Sequence, residues 1–257
     1  MTWIQQGALQ NRLVSGAWLS LGSAITAEIA GRSGYDWLLI DMEHGCGSDN
    51  DLMHQIQALG SSKSKVIVRV PAVELAVFKR ILDMGPAGLM IPNVSTPDLA
   101  RQIVDMVRVG PGSPRGIAQT TRASGYGSDY RAYLDTESKE LAIVAQIESR
   151  KAVENVDEIA AIDGISVLFV GPFDLSIDLS VNPDDARFDA AIRKVAKAAA
   201  KHGKAAGILV RNSEQAKHYA SMGYAFIAMG SDRGAVISSM RSNAALLAEV
   251  PFEPFHA

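Results

Sequence analysis

The chain has 257 residues, a formal net charge of −3 and a single cysteine, Cys46. This charge offers no basic surface for nucleic acid, and no apolar run approaches the ~20 residues that a membrane-spanning helix needs. One cysteine excludes an internal disulfide and a cysteine-rich metal site, and it suits a reducing cytoplasm. Residues 1–6 lack the basic and apolar segments of a signal peptide, so we expect a cytoplasmic protein.

Short apolar runs alternate with helix-like stretches along the chain. Strands are predicted at 16–21, 36–41, 65–70, 87–92, 141–147, 165–171, 205–210 and 224–229. Helices are predicted at 24–32, 49–59, 74–84, 96–107, 150–160, 185–202, 213–222 and 232–248. This alternation is typical of βαβ units, and eight units favour a closed (β/α)8 TIM barrel with a parallel sheet over an open doubly wound sheet. We therefore predict one barrel domain over residues 1–257.

Residues 109–140 interrupt this alternation. The segment begins with several glycines and prolines and continues as a polar, tyrosine-containing stretch. It is too long for an ordinary connection between a helix and a strand, and loops of this length are usually functional or disordered.

Polar side chains follow four of the predicted strands. In chain order they are Asp41, Glu43, His44, Arg69, Gln146, Glu148 and Asp174. In a parallel barrel the carboxyl ends of all strands meet at one rim, which is where active sites lie. The sequence therefore predicts that these residues converge on one pocket.

Glu148 and Asp174 are the candidate metal ligands. A single carboxylate at a strand end is more often solvated than bound to metal. Two that follow consecutive buried strands favour a hard cation such as Mg²⁺ or Mn²⁺, because such ions prefer oxygen ligands and keep positions open for substrate.

Arg69 and Gln146 each have a functional and a structural interpretation. The Arg69 guanidinium follows an apolar run, so it either stabilises an oxyanion or pairs with Asp41 or Glu43. The Gln146 amide lies on the same side of its strand as Glu148 and binds either a substrate oxygen or a core group.

His44 is the histidine that lies just past the carboxyl end of a predicted strand. A neutral imidazole at this place could be a general base, although a loop histidine is the commoner case. Asp41, Glu43 or Asp83, at the end of the third predicted helix, could orient the ring or raise its basicity.

Two further regions could contact substrate. Backbone N–H groups of residues 171–176 could hold a carboxylate, or these residues could form a simple tight turn. Arg115 and Arg122, in the 109–140 segment, could bind an acidic substrate or be solvated. Lys65 and Lys204 lie at the beginnings of strands, which argues against Schiff-base chemistry and for metal-assisted chemistry.

An ordered set of motifs connects the chain to one enzyme family. The motifs are DWLLIDMEH at 36–44, VRVP at 68–71, QIES at 146–149 and VGPFDLS at 170–176, with supporting segments at 16–23 and 207–209. Together they resemble the class II, metal-dependent pyruvate aldolases of the 4-hydroxy-2-oxoheptanedioate aldolase and 2-dehydro-3-deoxygalactarate aldolase family. The resemblance covers residues 13–245.

The resemblance implies a (β/α)8 barrel, a homohexamer with the last helix on a neighbouring subunit, and a Mg²⁺, Mn²⁺ or Co²⁺ cofactor. The resemblance implies metal ligation by Glu148 and Asp174, and base catalysis by His44 with Asp83, in the same or a neighbouring subunit, raising its basicity. It implies enolate stabilisation by Arg69 and contacts to the pyruvate portion by Gln146, Phe173 and Asp174. Asp41 is a further catalytic candidate, and Arg122 and Leu209 are further candidates for substrate contact.

The implied activity is the making or cleaving of 4-hydroxy-2-oxo acids through an enolate of pyruvate or hydroxypyruvate and an aldehyde. The chain departs from the family at 45–49, at bulky Phe173 and at 125–127. Because Phe173 would narrow the pocket and Arg122 alone could pair with an acidic tail, we expect a preference for short aldehydes. The alternatives are an acyl-CoA lyase of the malyl-CoA or citramalyl-CoA type and a non-catalytic barrel that binds a keto acid.

Overall fold

A computed structural model describes residues 2–4 and 12–252 of the chain. The expectation that no signal peptide is present was drawn from residues 1–6, and residues 1, 5 and 6 lie outside the described residues. Within the described ranges, no helix combines the length and the apolar character that crossing a membrane requires.

Eight parallel strands form a closed barrel in sequence order, and β1 pairs with both β2 and β8. The strands are β1 Val14–Leu19, β2 Trp37–Asp41, β3 Lys65–Arg69, β4 Gly88–Ile91, β5 Ala142–Ile147, β6 Val167–Val170, β7 Ala205–Val210 and β8 Tyr224–Ser231. The predicted (β/α)8 TIM barrel is confirmed, and each strand lies within about two residues of its predicted bounds.

Helices cover the outside of this barrel. They are α1 Ala24–Gly31, α2 Asp49–Ala58, α3 Leu75–Asp83, α4 Pro97–Val107, α5 Tyr130–Ala132, α6 Ser138–Glu140, α7 Arg150–Glu154, α8 Val156–Ala160, α9 Pro172–Leu179, α10 Ala186–Lys201, α11 Ser213–Ser221 and α12 Asp232–Ala248. The 109–140 connection also contains a 3-10 segment, Arg122–Gly127, and a π segment, Tyr133–Glu137.

Two predictions, one of a helix and one of a turn, were wrong in detail. The stretch 150–160 is two short helices that meet at Asn155. The turn considered for 171–176 is instead the beginning of α9, with Gly171 at the N-cap and Pro172 in the first turn. Proline is well suited to that position, because the first N–H groups of a helix have no partner inside the helix.

The strands are apolar along their length because both of their faces are buried. One set of side chains packs outward against the helices, and the other fills the barrel interior. Trp37 and Phe226 stack inside the barrel with ring centroids 4.0 Å apart, and Phe169 meets Phe226 edge to face. These rings make the interior a packed core, so polar groups can gather only at the barrel ends.

The two ends of the barrel carry different connections. The carboxyl rim, where the strands end, carries the loops that lead into helices. The amino rim, where the strands begin, carries the ends of those helices and the 109–140 connection, which joins α4 to β5. A residue's position in the chain therefore decides which rim its side chain can reach.

Candidate active site

Arg69 is held at the carboxyl rim by two carboxylates. Its side chain donates to both oxygens of Asp41, from Nε at 2.9 Å and from Nη2 at 2.6 Å, and Nη1 lies 2.9 Å from Oε2 of Glu43. The β2–β3 register places Asp41 beside Arg69, and both residues are buried. Paired, two-point contact of this kind fixes the plane of the guanidinium.

The Arg69–Asp41 pair stays charged despite its burial. Burial alone would raise the pKa of Asp41 and lower that of Arg69. The hydrogen bonds between the two groups outweigh burial, so the pKa of Asp41 lies below its ordinary value and that of Arg69 above it. The Arg69 guanidinium also lies 5.8 Å from the centroid of the Trp18 ring, which adds a cation–π contact.

Glu148 follows β5 and is held by its neighbours. Its Oε1 accepts the backbone N–H of Asn93 at 2.8 Å, and its Oε2 accepts the Nε2 of Gln146 at 3.1 Å. The backbone of Gly171 lies close to the Glu148 carboxylate. A Cβ atom at this position would lie 2.6 Å from the Glu148 Oε2, too close for a larger residue. Among the described residues, the buried Oε1 of Gln146 has no hydrogen-bond partner.

Negative charge is concentrated around Glu148. Burial raises the pKa of its carboxyl to about 7, although the Asn93 N–H opposes this shift. The charges of Asp174 and Glu43 raise the pKa further, and Arg69 acts against them. A buried carboxyl whose pKa is raised partly by neighbouring negative charges is a favourable place for a bound cation.

A divalent cation fits these residues. Glu148 and Asp174 supply hard oxygen donors, and the unpartnered Gln146 Oε1 is an additional polar atom beside them. Within residues 2–4 and 12–252, no three His, Cys, Asp or Glu side chains are grouped so that they could hold a metal ion by themselves. Ions such as Mg²⁺ are often bound through one or two carboxylates, with water and substrate completing the shell.

His44 lies in the loop between β2 and α2, at the mouth of the site. Its side chain is 73% exposed, and its Nε2 lies 3.9 Å from the Glu43 Oε2. Asp41 Oδ1 accepts the backbone N–H groups of Glu43 at 3.1 Å and His44 at 3.2 Å. Asp41 therefore orients the backbone of this loop, and of the three acids that could act on the His44 ring it is Glu43 that lies nearest to it.

Asp83 and Arg122 lie at the amino rim. Asp83 is the last residue of α3. Burial raises the pKa of its carboxyl, and the positive charges of Arg115 and Lys79 oppose this shift. Arg122 Nη1 donates to the Met84 carbonyl oxygen at 2.8 Å. Within the described part of a single chain, neither side chain reaches the carboxyl rim. The end of α3 and the 109–140 connection both lie at the opposite end of the barrel.

The expected pocket wall is also only partly formed. Leu209 lines a cavity of about 820 Å³ together with Arg69 and Trp18. Phe173 is instead 65% exposed at the beginning of α9, and Asp174 beside it is exposed as well. Within one chain neither Phe173 nor Arg122 lines this cavity, and the preference for short aldehydes stays a prediction.

Sequence reasoning missed Asn93, which follows β4. Asn93 has a φ of 55°, a left-handed conformation that asparagine tolerates better than most residues. This turn directs its N–H to Glu148. The Pro92-Asn93 pair at a strand end was the available signal, because such pairs mark turns.

Known proteins match this sequence over most of its length. The model of the HpcH/HpaI aldolase/citrate lyase family matches residues 14–239. A hydroxypyruvate/pyruvate aldolase of Paraburkholderia phytofirmans is 39% identical over 243 residues, which cover 91% of this chain and 92% of that protein. A 5-keto-4-deoxy-D-glucarate aldolase of Salmonella gallinarum is 38% identical over 226 residues, which cover 87% and 88% respectively.

Solved structures agree with the sequence matches. The crystal structure of an HpcH/HpaI aldolase/citrate lyase family protein from Burkholderia cenocepacia J2315 has a TM-score of 0.89 and 34% identity, and the match covers 97% of this chain and 100% of that one. Macrophomate synthase has a TM-score of 0.80 and 28% identity, and the match covers 95% and 89%.

Proposed function

Because the chain belongs to the HpcH/HpaI aldolase/citrate lyase family, we propose that it is a divalent-metal-dependent aldolase for 4-hydroxy-2-oxo acids. Its aldolase relatives, which match most of its length, make it a carbon–carbon lyase. The proposed donor is pyruvate or hydroxypyruvate, the acceptor is an aldehyde, and the whole chain, 1–257, is one aldolase domain. The observation that carries the proposal is the convergence of Arg69, Gln146 and Glu148 at the carboxyl rim.

Glu148 and Asp174 would hold the metal, which is Mg²⁺, Mn²⁺ or Co²⁺. When bound there, a divalent metal supplies Lewis-acid stabilisation for the negative charge that develops on the keto oxygen. Gln146 would contact the keto acid beside Glu148, and the N–H groups at the beginning of α9, at Phe173 and Asp174, would contact its carboxylate.

Arg69 would stabilise the enolate oxygen. Asp41 and Glu43 engage three of its five N–H groups, so two remain for a substrate oxygen. A guanidinium already held by two carboxylates needs little rearrangement when charge develops in the transition state.

His44 would move the proton of the aldehyde-derived hydroxyl. In cleavage it takes the proton from the C4 hydroxyl, the C3–C4 bond breaks, and the bond's electrons pass to the enolate while the aldehyde leaves. In the reverse direction His44 returns this proton to the new alkoxide. Its exposure at the mouth of the site lets an aldehyde reach it after the keto acid is bound.

Chelation tests the metal assignment. We expect that EDTA followed by removal of the chelate abolishes release of pyruvate from the aldol of pyruvate and glycolaldehyde, since the Lewis acid is then missing. Adding Mg²⁺, Mn²⁺ or Co²⁺ should restore the rate, measured as pyruvate formed over time. Full activity in a sample verified as metal-free would exclude this mechanism.

The proposed assembly is a homohexamer in which α12 packs on a neighbouring subunit. Every residue of 234–250 is exposed in a single chain. The large exposed apolar side chains of this helix are Val236, Ile237, Met240, Leu246 and Leu247. An apolar surface of this extent favours burial against another protein surface.

The same assembly would give Asp83 and Arg122 access to a site, because a second copy could bring its amino rim to the carboxyl rim of the first. We expect sedimentation equilibrium to report six times the chain mass. A monomer at micromolar concentration would contradict both the assembly and a role for these two residues in a neighbouring site.

A further inference from the structure

Arg233, in the first turn of α12, contacts two loops of the carboxyl rim. Its Nη2 donates to the carbonyl oxygens of Ser20 at 2.9 Å and His44 at 3.2 Å, and it lies 3.3 Å from the Sγ of Cys46. One guanidinium nitrogen thus joins the end of β1 to the loop that carries His44.

The backbone from which Arg233 extends is itself fixed. The carboxylate of the preceding residue, Asp232, accepts the backbone N–H groups of Ser20 at 2.8 Å and Leu21 at 3.3 Å. It also accepts the Thr26 hydroxyl at 2.9 Å. Asp232 therefore ties the junction of β8 and α12 to the connection after β1, and Arg233 extends from this fixed point.

Helix stability does not explain a cation at this position. The beginning of a helix carries partial positive charge, so an arginine in the first turn is electrostatically unfavourable. A residue that breaks a local rule of this kind needs a compensating interaction elsewhere in the fold. The three contacts of Arg233 Nη2 are that interaction.

The loop between β2 and α2 is consequently held from two directions. Asp41 accepts the N–H groups of Glu43 and His44 from the barrel side. Arg233 donates to the carbonyl oxygen of His44 from the helix side, and the Cys46 N–H donates to the Ser20 carbonyl oxygen at 2.9 Å. With its side chain 73% exposed, His44 owes its placement to these backbone contacts.

We propose that Arg233 is a positioning residue that fixes the His44 loop for proton transfer. This inference rests on the proposed aldolase function, in which His44 acts on the aldehyde-derived hydroxyl. Arg233 touches no reacting atom, and it acts only through the backbone of residues 44–46.

The test compares Arg233→Leu, Arg233→Lys and a control, Arg193→Leu, in the full chain loaded with Mn²⁺. Arg193 is an exposed arginine of α10 that pairs with Asp189 one turn away. Lysine is an informative replacement because a single ammonium nitrogen, with three N–H donors, can take the place of Nη2.

Hydrogen–deuterium exchange reports on the loop without any assumption about activity. In Arg233→Leu we expect the amides of 43–48 to exchange at least about fivefold faster, since loss of a tether promotes local opening. Exchange in β3, Lys65–Arg69, should not change. Arg233→Lys and Arg193→Leu should match the unmodified protein in both segments.

Kinetics then separate positioning of His44 from general damage to the site. We expect Arg233→Leu to lower kcat for cleavage of the pyruvate–glycolaldehyde aldol by roughly 10- to 100-fold, the scale of a small displacement of a catalytic group. KM should stay within about twofold, and deuterium exchange at pyruvate C3 should fall much less than kcat, because His44 is assigned to the hydroxyl proton and not to the metal or the keto acid. Arg233→Lys should recover most of kcat.

Three results would overturn the proposal. Unchanged exchange in 43–48 would show that Arg233 does not hold the loop. An equal fall in cleavage and in C3 exchange would show that it supports the whole site and not His44. Faster loop exchange with unchanged kcat would show that the loop position does not limit proton transfer. If the unmodified protein cleaves no aldol while Arg233→Leu still loosens the loop, the failure lies in the proposed function.

Discussion

We expect His44→Ala to slow aldol cleavage by roughly 100- to 10,000-fold, the usual range for a lost acid–base group. His44 lies at the mouth of the site and is not among the proposed metal ligands, so the variant should still bind metal and pyruvate. Deuterium exchange at pyruvate C3 should persist in part, since it depends on the Arg69 and Glu148 side of the site. Pyruvate release and NMR-detected exchange, measured on the same sample, test this separation.

His54→Ala is the matched control, because His54 is an exposed histidine of α2. It should retain the rate of the unmodified protein. Loss of metal binding in His44→Ala would identify His44 as a ligand or a structural support and would contradict the assigned roles.

Arg69→Lys should reduce turnover by at least ~100-fold, the scale of removing an oxyanion donor. Lysine keeps the charge but loses the planar group that contacts both oxygens of Asp41 and also Glu43. Unlike His44→Ala, this variant should lose cleavage and C3 exchange together, because both pass through the enolate. Steady-state kinetics and the exchange assay measure the two losses.

Arg193→Lys controls for the substitution itself, since Arg193 forms an exposed pair with Asp189. Thermal unfolding of Arg69→Lys should be followed in parallel, because the buried Asp41 loses part of its pairing. A variant that turns over within about threefold of the unmodified protein would show that Arg69 serves the structure alone.

The barrel itself could be predicted from the sequence. Strands buried on both faces must be nearly continuous apolar runs, and each of the eight runs is bounded by turn or helix residues. The convergence of Arg69 and Glu148 followed from the same reasoning, because strand ends share a rim. The roles of these residues stay predictions until the variants are measured.

Other features depend on tertiary contacts that local sequence does not encode. Arg69 had two interpretations, and the structure shows the carboxylate pairing with both Asp41 and Glu43. Pro172 was compatible with a turn or with a helix start, and only packing decides between them. The amino-rim position of Arg122 follows from topology, because its segment joins a helix to a strand.

The stacked rings of Trp37 and Phe226 fill the barrel interior below the site. Glu148 and Gln146 lie deep, with at most 6% of their surface exposed, whereas His44 stands at the opening. We therefore expect donor and acceptor to pass through this opening one after the other. In the condensation direction the keto acid should enter first and the aldehyde should cover it. In cleavage the aldehyde should depart first, which would make pyruvate the last product to leave and a direct competitor of the next substrate molecule.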